Sequence, residues 1–125
     1  MKKIIFLAVS VILCAHANAF CADENARNEL ASNSSMCAAY YMVVEECLKD
    51  ERHVDTKKKF SELCDEMLIA SIFFSNEKTA QSRLNLFKKQ IYEEVENSCG
   101  NISRIVEKYG NGCINLSREF RKNGG

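Results

Sequence analysis

The sequence predicts an all-α protein: a small disulfide-stapled up-down bundle of four to five helices. Three observations carry that expectation. Apolar residues recur at steps of three and four along most of the chain, which is the signature of one buried helix face. None of the 125 residues is proline, so no hard helix breaker interrupts the pattern. Six of the seven cysteines follow a secretory leader, and an even set in a short exported chain reads as a disulfide frame.

The leader comes first. Met1 precedes Lys2 and Lys3, residues 4–13 are apolar apart from Ser10, and Ala17-Asn18-Ala19 places small residues at the cleavage positions. That is the three-part layout of a signal peptide. The apolar run is about ten residues, too short for a bilayer core that needs roughly 20. Cys14 follows Leu13 rather than a small residue, which argues against a lipoprotein anchor. The expected organisation is therefore a cleaved leader at 1–19 and a single secreted domain at 20–125, found outside the cell.

The first clear helical pattern spans 36–49, with Cys37, Tyr40, Tyr41, Val44, Cys47 and Leu48 on one face. Asn33, Ser34 and Ser35 stand before it as N-cap candidates. Upstream, 23–31 can add one or two turns. A second pattern spans 56–74 through Phe60, Leu63, Cys64, Met67, Leu68 and Ile72, capped by Asp55 or Thr56. Lys57, Lys58 and Lys59 read as a solvated face. Ser75 and Asn76 interrupt. A third pattern joins Ala80, Leu84, Phe87, Ile91, Val95 and Cys99, with Gly100 as its expected C-cap. A fourth uses Ile102, Ile105, Val106 and Tyr109 and is expected to stop at Gly110. A fifth uses Cys113, Leu116 and Phe120.

The disulfide candidates are Cys21, Cys37, Cys47, Cys64, Cys99 and Cys113. Zinc is the weaker reading, because no closely spaced ligand pair exists. Sequence alone leaves fifteen pairings open. Matching levels in an up-down bundle favours Cys47–Cys99 and Cys64–Cys113, leaving Cys21–Cys37 for the N-terminal arm.

Composition narrows the partners. Removing 1–19 takes two lysines from the 17 basic residues and none from the 17 acidic ones, so the mature charge is about −2. Such a domain has no electrostatic pull toward nucleic acid, and nothing in it suggests a membrane anchor. Asn33, Asn101 and Asn115 each begin an N-x-S/T sequon and are candidate glycosylation sites, which makes a glycoprotein an expectation.

Chemistry is sparse. His53 is the sole histidine after the leader, and it sits in a polar stretch without a nucleophile or an orienting partner. No phosphate loop, calcium loop or helical zinc motif is present. The expectation is no catalytic residue, no metal and no cofactor. The cysteine spacing also departs from insect odorant-binding proteins and saposin-like domains, both of which need a closely spaced pair.

One apolar concentration is wider than a helix face requires: Met67, Leu68, Ile69, Ile72, Phe73 and Phe74. It serves as a helix buried on several sides, a ligand cavity or an exposed partner patch. The leading expectation is a secreted interaction protein (a toxin, an effector or an extracellular signal) that binds an extracellular protein. The alternative is a carrier for a small apolar ligand, held in a cavity beneath Met67, Ile72, Phe73 and Phe87.

Overall fold

A computed structural model describes residues 23–49 and 51–123. The leader and Cys21 lie outside them. Among the described residues there are four α-helices and no strand: α1 (Glu24–Cys47), α2 (Val54–Phe74), α3 (Glu77–Glu94) and α4 (Ile102–Lys122). Single 3-10 turns, Glu51–His53 and Cys99–Asn101, precede α2 and α4.

α1 is the hub and touches the other three helices. Its buried residues include Ala31, Ser34, Ser35, Cys37, Ala38, Ala39, Tyr40 and Tyr41, a run that covers every side of the helix. A helix enclosed all round belongs at the centre of a bundle. Small side chains lie at the centre: Ala31, Ala38 and Ala39 of α1 and Ala70 of α2 have no exposed area.

The starting point of α1 corrects the sequence reading. Asp23 is the N-cap, its side chain accepting from the Ala26 amide at 2.8 Å. Asn33, Ser34 and Ser35 are therefore interior to the helix. Ser35 is accommodated there by a side-chain partner on α2, whereas the buried Ser34 hydroxyl has no partner among the described residues. Ser35 Oγ meets Ser71 Oγ of α2 at 2.5 Å, and Ser71 in turn donates to the Ala31 carbonyl at 2.9 Å. These contacts, with Lys57 Nζ donating to the Glu45 carbonyl, set α1 and α2 antiparallel.

α3 begins where expected, with Asn76 capping Thr79 at 2.8 Å. It ends earlier than expected. Glu96 and Asn97 turn into the left-handed region at φ 55° and 56°, so Gly100 is not the C-cap. Ser98 instead caps the short turn that carries Cys99.

The two short C-terminal helices predicted from sequence are one helix. α4 runs through Gly110 and Gly112 without a break. At Gly110 a side chain would meet Tyr40 Oη at 3.3 Å, so glycine serves close approach to α1 there rather than termination. Beyond it, the buried residues Cys113, Ser117 and Phe120 continue the same face.

Among the described residues, two disulfides staple this arrangement. Cys47–Cys99 joins the end of α1 to the α3–α4 connection, as the level argument expects. Cys37–Cys113 joins the middle of α1 to the middle of α4. That pairing corrects both Cys64–Cys113 and Cys21–Cys37. The error follows from the true length of α1: it extends back to Glu24, so Cys37 is a mid-helix residue facing α4 rather than the foot of an arm.

Cys64 is a buried thiol, not half of a bridge. The Ser35–Ser71 contact places Cys64, seven residues earlier on α2, near the level of Met42 on α1. Asp23 is then roughly 28 Å away along the helix axis at 1.5 Å per residue.

Candidate functional site

The surplus apolar residues of α2 divide between core and surface. Met67 and Ala70 are fully buried, and Phe74 packs edge-on against Phe120 of α4 with ring centroids 6.3 Å apart. Ile69 and Phe73 point outward, 59% and 53% exposed. They are four residues apart, hence one turn apart on a single stripe. The same stripe is polar in its earlier part, at Glu62 and Asp65.

This geometry separates the four residues assigned to a ligand cavity. Met67 is sealed in the core, Ile72 and Phe87 are half-buried, and Phe73 faces solvent. None of the four lines the groove between α1 and α4.

A concavity does exist elsewhere, between α1 and α4. It is a groove of about 460 Å³ with Met36, Tyr109 and Leu116 among its apolar walls and the Cys37–Cys113 bridge beneath. Its polar lining includes Asn33, Lys108, Asn115 and Glu119. Sequence reading assigned Tyr109 and Leu116 to a core face and did not select Met36. Only the path of α4 across α1 brings the three together.

The sequons fall in two settings. Asn33 on α1 and Asn115 on α4 are both exposed, and both line the groove. Asn115 accepts from Arg118 through Oδ1 at 3.2 Å. Asn101 is half-buried, and its Nδ2 donates to the Val95 carbonyl at 2.9 Å, which helps hold the α3–α4 connection.

Two carboxylate–tyrosine–lysine clusters lock the end of the bundle near Cys47–Cys99. Glu46 of α1 accepts from Tyr92 (2.5 Å) and Lys88 (2.9 Å) of α3. Glu94 of α3 accepts from Lys108 (2.5 Å) and Tyr109 (2.8 Å) of α4. Partial burial pushes both carboxyl pKa values upward. Hydrogen bonds from the tyrosine and lysine of each cluster, with the lysine charges, outweigh this and leave both below the ordinary 4.5. Tyr92 moves the opposite way, to about 12, through burial and its bond to Glu46.

The Cys64 thiol is also pushed up to about 12, first by burial and then by Asp65, Glu45 and Glu46. A thiol that far from ionising is a poor nucleophile and metal ligand. His53 sits exposed at the 3-10 turn before α2. Among the described residues no three His, Cys, Asp or Glu side chains are grouped to hold a metal ion. No helix among them is long and apolar enough to cross a membrane.

No protein-family model matches the chain, and no curated protein or solved structure is significantly similar to it.

Proposed function

We propose that the protein is secreted and acts by binding, as a toxin, effector or extracellular signal that presents the outward stripe of α2 to an extracellular protein. The observation that carries this reading is the exposed pair Ile69 and Phe73 on a helix whose inner face is fully packed. An apolar pair one turn apart is what an amphipathic helix offers to a partner's hydrophobic groove. Large apolar anchors supply most of the energy at such contacts. The disulfide frame supports the extracellular setting, since such bonds persist in oxidising compartments, and it fixes the helices before binding, which lowers the ordering cost.

The test is a cross-linking capture. The biotinylated mature protein and its Ile69→Glu/Phe73→Ser variant are offered to extracellular and cell-surface proteins. A saturable partner should cross-link to the wild type and be lost with the variant, while the two helical circular dichroism spectra coincide. Equal capture by both proteins contradicts the assigned surface.

A second reading, a carrier for a small apolar ligand, has the α1–α4 groove in its favour. Its 460 Å³ falls within the size range of small-molecule pockets. Native mass spectrometry of the secreted protein separates the two readings: a carrier retains an apolar small molecule, and an interaction protein gives a clean apo mass.

A further inference from the structure

The geometry points to Asn33 and Asn115 as a pair of N-glycosylation sites whose glycans cover the groove between α1 and α4, with Asn101 left unmodified. The inference rests on the secreted reading above, because the modifying transferase works in the eukaryotic secretory pathway. All three sequons are equivalent in sequence, and the fold separates them. Asn33 and Asn115 are exposed and stand on the two helices that form the groove. At Asn115 the hydrogen bond from Arg118 uses Oδ1 and leaves the attachment atom Nδ2 out of that contact. At Asn101 the attachment atom itself, Nδ2, is pressed on the Val95 carbonyl at 2.9 Å in a half-buried turn. A sugar on that nitrogen would have to be fitted into this half-buried turn, next to the Cys99 end of the Cys47–Cys99 bridge.

The transfer balances simply. A bond forms between Nδ2 and the anomeric carbon of a lipid-linked oligosaccharide. The bond from that carbon to the lipid diphosphate breaks, the diphosphate leaves as an anion, and the amide loses one proton. Two glycans rooted on opposing walls would shield Met36, Tyr109 and Leu116 from solvent. No residue of the groove belongs to α2, so the Ile69–Phe73 stripe stays uncovered.

The experiment expresses the full chain in a eukaryotic secreting host and collects the medium. Peptide N-glycosidase treatment in heavy-oxygen water converts each formerly glycosylated asparagine to a mass-labelled aspartate, read by peptide mapping. The proposal expects label at Asn33 and Asn115 and none at Asn101. A secreted chain bare at either groove site, or labelled at Asn101, overturns the proposal alone. A chain that never reaches the medium overturns the secreted reading and the proposal with it. Hydroxyl-radical footprinting then tests the cover: Met36 and Tyr109 should oxidise severalfold faster in the secreted Asn33→Gln/Asn115→Gln variant, with Phe73 unchanged. Unchanged Met36 and Tyr109 rates would show that the glycans do not cover the groove.

Discussion

Replacing Cys37 and Cys113 together with alanine removes the bridge that ties α1 to α4. The two disulfides are nested, and this sets the size of the effect. The sequence separations are 76 and 52, so with Cys47–Cys99 intact the outer bridge closes only the difference, 24 residues. The chain-entropy model gives about 3.5 kcal/mol for a loop of that length, against about 4.5 kcal/mol had the full separation counted. The emptied space adds to this, since the two cysteines are 2% and 1% exposed; losing buried volume costs on the order of 1 kcal/mol per group of methyl size. Equilibrium urea unfolding followed by circular dichroism should therefore show a loss of about 4–5 kcal/mol, a large part of the 5–15 kcal/mol typical of a domain. Alanine at both Cys47 and Cys99 should cost less, about 3 kcal/mol, because the surviving outer bridge already restrains those ends. A loss below about 1 kcal/mol for the Cys37/Cys113 pair would refute the pairing or the nesting argument.

Three further outcomes follow from the packing. In a Cys21→Ser background, Cys64 should be silent to a thiol reagent at pH 8 in the native protein and react as a single thiol in guanidinium; rapid native reaction would contradict its burial and raised pKa. Ser71→Ala should destabilise by about 1–3 kcal/mol, because it strands the buried Ser35 hydroxyl, whereas a neutral result would show that Ser35 finds another partner. Glu46 and Glu94 have folded pKa values below their unfolded ones, so their contribution is present above the ordinary 4.5 and is lost as pH falls through the lower folded values. The Glu46→Gln/Glu94→Gln variant should accordingly lose stability at neutral pH and show a flatter acid limb than the wild type; superimposable acid limbs would show that neither cluster holds the bundle.

The α-helical class was legible because apolar residues recur at steps of three and four even along α1, which is enclosed all round, and Cys47–Cys99 because both cysteines lie at one end of the bundle. The surplus of apolar residues on α2 was also visible, although its division into core Met67 and surface Phe73 was not. What escaped depends on tertiary contact. Ser34 and Ser35 look like a helix start, and only the α2 neighbour Ser71 reveals that Ser35 is an interior polar contact. Gly110 looks like a helix end until Tyr40 appears against it. Cys64 looks like a bridging cysteine by number, yet the path of α4 sets Cys113 against Cys37 and leaves Cys64 a buried thiol. The groove has no local signal, because Met36 and Leu116 are eighty positions apart in sequence.

The most direct test of the account is disulfide mapping of the secreted protein by non-reducing proteolysis and tandem mass spectrometry, with free thiols alkylated in denaturant beforehand. The expected products are peptides linking Cys37 to Cys113 and Cys47 to Cys99, with Cys64 recovered in alkylated form. A peptide linking Cys64 to Cys113, or Cys37 to any other cysteine, would contradict the placement of α4 on α1 and the groove between them.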